Sequence, residues 1–177
     1  MLTEPLPTTL DVRKLAVREA EVSGVLRPQD LERFRPLLAS DEGAIQVGLQ
    51  FHRDEEMRSL VTIKVEAEVT VTCQRCLDDL TRTVASENTL AIVFTDEQAA
   101  HLPKHLDPLI VPEQSCNVWD LAEDELILAL PPFSYHDTDE CRQRISDFSD
   151  PEPDEGEGEA KPNPFDVLAQ LKPGDKP

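Results

Sequence analysis

The predicted fold is organised around one run of alternating residues, Leu60-Val-Thr-Ile-Lys-Val-Glu-Ala-Glu-Val-Thr-Val-Thr72, which leads directly into Cys73-Gln-Arg-Cys76. Val69, Val71 and Cys73 alternate with polar residues in the period-two pattern of a strand with one buried face. The run therefore predicts a long strand that ends at a Cys-x-x-Cys turn. Two cysteines at this spacing can bind one metal ion from one side, or can close a small redox-active disulfide.

Two further strands are predicted beside this run. Ala44-Ile-Gln-Val-Gly-Leu-Gln-Phe-His52 precedes it, and Thr81-Arg-Thr-Val-Ala-Ser-Glu-Asn-Thr-Leu-Ala-Ile-Val-Phe94 follows it. Three long strands joined by short turns predict an antiparallel β-meander in an α+β fold with a few short helices. The weaker patterns predict short strands at 7–12, 21–26 and 109–111, one or two amphipathic helical turns at 28–38, and helices at 96–100 and 118–130.

The composition divides the chain into three parts. Residues 1–146 are predicted to form the single α+β domain. Residues 147–160 are acidic, rich in proline and glycine and nearly free of apolar side chains, which predicts a disordered linker. Residues 161–177 are predicted to contain a short helix and a tail.

The C-terminal motif is Lys161-Pro-Asn-Pro-Phe-Asp-Val-Leu-Ala-Gln-Leu-Lys172. Its asparagine is a good N-cap, the proline after it a good first helical residue, and the larger apolar residues share one helix face. Such a helix either docks back on its own domain or fills a groove in a partner. The second alternative makes the candidate partner-binding residues Asn163, Pro164, Phe165, Leu168 and Leu171.

The net charge of −19 is concentrated in one segment, because residues 119–160 hold 14 acidic residues against two basic ones. Such a chain has no broad basic surface for a phosphate backbone, and a basic protein partner fits its electrostatics better. No apolar run has the length of a membrane span, and the N-terminus lacks the pattern of a secretory signal. The sequence thus predicts a cytoplasmic protein without a membrane partner, where the four cysteines favour metal binding or plain thiols over disulfides.

A second pair of candidate metal ligands follows later in the chain. A structural zinc site needs more than two ligands, and His136-Asp-Thr-Asp-Glu-Cys141 offers a histidine and a cysteine in a loop after the main helix. The predicted set for one structural zinc is Cys73, Cys76, His136 and Cys141. Two alternatives stay open: a buried Cys73 among ordinary thiols, and a thioredoxin-like redox motif, which should open a helix but here ends a strand.

The case for an enzyme is weak. Asp120, Glu123 and Asp124 are close in sequence, but a solvated helix face accounts for them better than acid–base catalysis does. The scattered glycines form no phosphate-binding loop, and no nucleophile elbow is present. The sequence predicts a protein without a catalytic site.

These motifs resemble those of the YceD family, the large ribosomal RNA subunit accumulation proteins. The strand ending in Thr-Val-Thr-Cys-Gln-Arg-Cys, the helix Glu-Asp-Glu-Leu-Ile-Leu-Ala-Leu-Pro, the His136–Cys141 segment and the C-terminal motif occur in the family's order. The resemblance implies a bacterial protein needed for synthesis, processing or stability of 23S ribosomal RNA, with no established catalytic activity. Some members carry a second Cys-x-x-Cys where this chain has His136 and Cys141, which implies either a relaxed metal site or a lost one.

The resemblance and the charge distribution together favour a non-enzymatic ribosome biogenesis factor that binds a basic ribosomal protein, or another assembly factor, on the precursor of the large subunit. Ribosomal RNA would then be reached indirectly. The main rival is direct RNA binding through a small basic patch in residues 13–35, and a Cys-x-x-Cys thiol-redox protein is the third hypothesis. The patch consists of Arg13, Lys14, Arg18, Arg27, Arg33 and Arg35.

Overall fold

A five-stranded sheet dominates the computed structural model, which describes residues 4–111 and 115–144. Its strand order is β2-β3-β4-β5-β6, and a separate two-stranded sheet pairs β1 with β7. The strands are β1 (Thr9–Leu10), β2 (Glu21–Leu26), β3 (Ile45–Arg53), β4 (Ser59–Thr72), β5 (Asp79–Val93), β6 (Asp107–Ile110) and β7 (Cys116–Asn117). The helices are α1 (Val12–Arg18), α2 (Asp96–Ala100), α3 (Val118–Ala129) and α4 (Asp139–Gln143), with short 3-10 helices at Pro28–Asp30 and Arg35–Leu37.

The predicted α+β fold and its antiparallel meander are confirmed. Strands β2 to β5 pair antiparallel in sequence order, and β4 and β5 stay in continuous register from Leu60 opposite Ala91 to Thr72 opposite Asp79. The sheet becomes mixed at β6, which lies parallel to β5. The connection through α2 carries the chain back along the sheet before β6 begins, so β6 runs in the same direction as β5. The local sequence pattern does not indicate this direction.

One face of the sheet carries the core. Strands β3 and β4 turn alternate residues such as Val47, Ile63 and Val65 inward, and α1 and α3 cover them with Ala16 and Leu126. All five are nearly inaccessible to solvent. Because β-branched side chains pack well on a pleated surface, the apolar alternation both forms the strands and drives the helices onto this face.

Two helices were not predicted. Helix α1 begins after Asp11, whose carboxylate accepts from the Lys14 amide at 3.1 Å, in place of the end of the predicted strand at 7–12. Helix α4 begins after Thr138, whose hydroxyl accepts from the Cys141 amide at 3.3 Å. Both are short and carry a standard N-cap, which is the only sequence signal they give.

The segment 28–38 forms two 3-10 helices instead of a continuous amphipathic turn. Pro36 has no amide hydrogen to donate and breaks the helical hydrogen-bond pattern. The apolar spacing was nevertheless informative, because Leu31 and Phe34 are buried in the core. The segment therefore lies across the sheet and against α3.

The interpretation of Glu123 as part of a solvated helix face is wrong. Its side chain is buried, and one carboxylate oxygen accepts from the backbone amides of Arg33 at 2.6 Å and Phe34 at 2.9 Å. The other oxygen lies 2.9 Å from the Arg33 Nε. Glu125 is buried as well and accepts from Ser86 at 2.7 Å. These carboxylates fasten α3 to the 28–38 segment and to β5.

We expect Glu123→Ala to lower the free energy of unfolding by about 2–3 kcal/mol, because the buried Phe34 amide and the partly buried Arg33 amide lose a charged acceptor. Asp124→Ala is the matched control: it removes the exposed carboxylate that binds the same Arg33 at 2.6 Å and should cost less than about 1 kcal/mol. Urea denaturation of both variants measures the difference. Equal losses would contradict the assigned role of Glu123.

Candidate metal centre

Four side chains converge at the end of the sheet where β4 turns into β5. The three sulfurs of Cys73, Cys76 and Cys141 and a ring nitrogen of His136 all lie within 4.8 Å of one another. The Cys73 and Cys141 sulfurs are 3.6 Å apart, and the Cys76 sulfur is 3.3 Å from the Nδ1 of His136. The structure thus brings together all four residues that the sequence predicted as a ligand set.

The first two cysteines are held by a tight turn. The Leu77 amide donates to the Cys73 carbonyl at 2.9 Å, and the Cys73 amide donates to the Asp78 carbonyl at the same distance. Leu77 has a φ of 63°, in the left-handed region that costs a residue with a Cβ about 1 kcal/mol or more. The Leu77 side chain is exposed in this turn. Cys73 is buried and Cys76 is half-buried.

The second pair comes from the segment after α3. The Gln74 amide donates to the Ser134 carbonyl at 3.0 Å, and the Arg82 guanidinium donates to the Tyr135 carbonyl at 2.7 Å. Farther along, Arg144 donates to the Cys76 carbonyl at 3.1 Å and pairs with Asp78 at 2.8 Å. Backbone and arginine contacts therefore hold this segment against the Cys turn on both sides of the histidine.

The histidine ring is oriented for ligation through Nδ1. Its Nε2 lies 3.1 Å from the backbone carbonyl of Asp79, and a carbonyl can only accept, so Nε2 carries the proton. Nδ1 lies 3.3 Å from the Cys76 sulfur, and in the neutral ring its lone pair is available at that position. A metal-binding histidine commonly donates its second nitrogen to a carbonyl in this way, which fixes the tautomer.

The pKa values of Cys73 and Cys76 are shifted in opposite directions. Burial alone would raise the pKa of Cys73, but the backbone amides of Cys76, Arg75 and His136 lower it to about 5. The Asp78 amide favours the thiolate at Cys76, yet burial and the adjacent Cys73 and Cys141 raise the pKa of Cys76 to about 11. The site accepts one negative charge readily and resists a second, a balance that a bound cation would remove.

The dimensions of the cluster fit a tetrahedral zinc ion. With Zn–S bonds of about 2.3 Å and Zn–N bonds of about 2.05 Å, ligand atoms lie about 3.8 Å apart for two sulfurs and about 3.6 Å for sulfur and nitrogen. The observed separations of 3.6 and 3.3 Å are slightly shorter. Three thiolates would leave the site with one negative charge, and the Arg75 guanidinium lies 3.9 Å from the Cys141 sulfur to offset it. The four residues could therefore hold zinc.

The contacts that support the ligands had no signal in the sequence. Arg75 lies inside the Cys-x-x-Cys motif, donates to the His136 carbonyl at 3.5 Å, and stacks over the Tyr135 ring at 4.9 Å. Arg82 and the Asp79 carbonyl act from β5. Only the N-cap pattern at Thr138 could have indicated that Cys141 lies on a helix.

The Cys-x-x-Cys motif does not have the geometry that the thiol-redox hypothesis requires. The Cys-x-x-Cys motif lies in the turn between antiparallel β4 and β5, not at the start of a helix in a βαβ unit. All four cysteines are free thiols. None of the helices described has the length and apolar character needed to cross a bilayer.

The predicted basic patch is largely neutralised by nearby carboxylates. Four of its members form ion pairs, and Arg13 stacks over Phe94 at 3.6 Å from the ring centre. The carboxylates also raise the pKa of the Arg33 guanidinium. The pairs are Lys14 with Asp11, Arg27 with Asp30, Arg33 with Glu123 and Asp124, and Arg35 with Asp41.

The predicted linker at 147–160 and the C-terminal part at 161–177 lie outside the described residues, as does the boundary at 146. The same holds for the candidate partner-binding residues. These are Asn163, Pro164, Phe165, Leu168 and Leu171.

Comparison with known proteins gives one consistent result. The family model described as "Large ribosomal RNA subunit accumulation protein YceD" matches residues 61–172, a range that includes all four candidate ligands. A protein of that name from Haemophilus influenzae is 34% identical over 171 residues, which cover 94% of this chain and 96% of the relative. No solved structure matches the chain.

The four-ligand geometry predicts that the reduced chain binds one Co²⁺, with thiolate-to-cobalt absorption in the near ultraviolet and the visible bands of tetrahedral cobalt. Cys76→Ser should weaken this binding by about tenfold or more. Cys116→Ser, which removes the thiol outside the cluster, is the matched control and should leave affinity and spectrum unchanged. An octahedral spectrum, or equal affinity in all three proteins, would show that the cluster is not a metal site.

Proposed function

The chain belongs to the YceD family, and we propose that it is a non-enzymatic ribosome biogenesis factor that promotes the accumulation of 23S ribosomal RNA in the large subunit. The support is the match to a curated relative over 94% of the chain, together with that relative's printed name. The protein acts in the cytoplasm, on precursors of the large ribosomal subunit.

Its direct partner is a basic ribosomal protein or assembly factor, and its effect on RNA is indirect. The observation that carries this step is the pairing of Lys14, Arg27, Arg33 and Arg35 with carboxylates of the same chain. Contacts to RNA phosphates would have to compete with these pairs, in a protein whose net charge of −19 repels the backbone. A cationic protein is attracted by the same charge.

The C-terminal part supplies both charge and specificity. The acidic residues of 147–160 shield the basic charge of the partner, and Phe165, Leu168 and Leu171 fill an apolar groove in it, with Asn163 and Pro164 starting the helix. Separating attraction from recognition in this way makes encounter fast and leaves specificity to a short apolar face.

One structural zinc ion is held by Cys73, Cys76, His136 and Cys141. The ion stabilises the fold by joining the β4–β5 turn to the segment after α3, and it takes no part in a reaction. Its support is the four-ligand cluster within 4.8 Å and the fixed tautomer of His136.

The main rival, direct RNA binding through residues 13–35, makes a different prediction. Reversal of charge at Arg13 and Arg18 should then abolish binding to the precursor, while removal of the C-terminal part should have no effect. Redox action would instead require that a folded, metal-free Cys76→Ser protein lose function.

We expect affinity purification of the tagged full-length chain from cells to recover one or a few basic proteins of the large subunit at physiological salt. A chain that ends after Phe148 should recover them at least about tenfold less, because it lacks both the acidic segment and the apolar helix face. Elemental analysis of the full-length sample should find one zinc per chain.

The control is a full-length chain with Phe165→Ser and Leu168→Ser, which keeps the acidic segment. It should lose specific recovery and retain weak, salt-sensitive binding of many basic proteins. Equal recovery by all three chains would contradict the role of the C-terminal part.

A further inference from the structure

Strand β5 has an open stretch of edge between two closed ends. At one end, His136 contacts the backbone carbonyl of Asp79, and at the other β6 pairs with β5 from Leu90 onward. Between them, from Thr81 to Glu87, the part of the chain that the structure describes contributes no backbone partner on the side away from β4. The gap is long enough for one added strand of about seven residues.

The orientation of the backbone groups along this edge follows from their neighbours. The Val93 carbonyl accepts from Val111 on the β6 side, and the Asp79 carbonyl also points away from β4. Because backbone groups alternate in direction along a strand, every second residue between them shares that direction. The outward N–H and C=O groups therefore belong to Thr81, Thr83, Ala85 and Glu87, while Ser86 and Asn88 bond to β4.

The other two edges of the sheet are each partly protected against an added strand. Glu4 and Leu6 exchange backbone hydrogen bonds with Val25 and cover part of the β2 edge. The β6 edge contains Pro108, which has no amide hydrogen to offer. The open stretch of β5 has neither a proline nor a bulge, and it stays in regular register with β4. Natural sheets rarely leave such an edge unprotected unless something binds there.

The chemistry beside the edge favours a cationic strand. On the face of the sheet opposite the core, Glu66 and Glu68 of β4 are exposed and lie opposite Ala85 and Thr83. A strand added to β5 would lie about 10 Å from β4, a gap that lysine can span over a small residue such as alanine. Glu87, on the edge itself, is a third carboxylate, and it pairs with Lys64 of β4 at 3.5 Å, so Glu66 and Glu68 are the carboxylates that face an added cation.

The opposite side of the edge offers an apolar contact. Leu128 of α3 is 79% exposed, and it lies one helical turn from Glu125, which binds Ser86 and Asn88 of β5. Residues three apart share a helix face, so Leu128 lies on the flank of α3 that faces β5. An added strand with apolar residues on that side would cover it.

We propose that the basic partner adds an extended segment to the open edge of β5 between Thr81 and Glu87, with lysine or arginine facing Glu66 and Glu68 and apolar residues facing Leu128. This inference rests on the proposed function and names where its cationic partner docks. Backbone hydrogen bonds supply affinity, and the alternation of basic and apolar residues supplies specificity. It is a second contact, separate from the one proposed for residues 161–177, so the two would reinforce each other.

The test uses the full-length chain and a labelled peptide of about seven residues that alternates lysine and valine, the length of the open stretch. Hydrogen exchange should show that the amides of Thr81, Thr83, Ala85 and Glu87 exchange fast in the free protein and slowly with peptide. The amide of Ser86 should be protected in both. A peptide alternating glutamate and valine should bind at least about tenfold more weakly.

Substitutions at Ala85 test the contribution of backbone hydrogen bonds and that of charge separately. Ala85→Pro removes an outward N–H donor and should lower the affinity for the lysine–valine peptide at least about tenfold. Ala85→Val keeps the donor and should leave that affinity unchanged. If Ala85→Pro fails to fold, Ala85→Lys tests the same site by placing a cation before Glu66. Its matched control is Ser23→Lys, on the same sheet face but on β2, which should leave binding unchanged.

Three results would overturn the docking site: protection of the four outward amides before peptide is added, protection of other residues by the peptide, or equal peptide binding by Ala85→Lys and Ser23→Lys. Failure of the proposed function is distinguishable. Equal recovery of large-subunit proteins by wild type and Ala85→Pro would contradict the docking site and leave the proposed function standing. If the peptide binds at the edge but the wild-type chain recovers no large-subunit proteins from cells, the proposed function is contradicted.

Discussion

The pairing of β4 with β5 is the constraint on which the rest of the structure depends. Its register runs unbroken from Leu60 opposite Ala91 to Thr72 opposite Asp79. A shift by one residue would turn every core side chain of β4 to solvent, so the buried valines and isoleucines fix it. The same register places Cys73 and Cys76 at the turn and leaves the outer edge of β5 open. The candidate metal centre and the proposed docking edge are both consequences of one hairpin.

The candidate metal ligands and the buried carboxylates join distant parts of the chain to this hairpin. Cys141 and His136 lie in the segment after α3 and contact the Cys turn, and Glu123 holds α3 to the backbone of Arg33 and Phe34. Both sets of contacts hold surface segments in place, as a protein that binds a partner needs.

The sequence predicted those parts of the fold that strict alternation specifies. Strands β3, β4 and β5 were anticipated to within two residues at each end because each buries one face. Helix α1 was missed because a short helix with one N-cap gives little periodicity. The parallel direction of β6 was missed because it depends on the path that the chain takes through α2. Glu123 looked like a surface acid because helix periodicity cannot show that two unpaired amides lie opposite it. The four candidate ligands followed from residue type and spacing, but their convergence depends on Arg75, Arg82 and Ser134, whose contacts arise only in the folded chain.

The central claim is that the protein reaches large-subunit RNA through a basic protein. The most direct measurement offers the immobilised full-length chain a mixture of naked 23S RNA and the separated proteins of the large subunit at physiological salt. We expect retention of one or a few basic proteins and release of the RNA, because four of the six cations of the patch are paired within the chain and the net charge is −19. Retention of naked 23S RNA without any basic protein would contradict it.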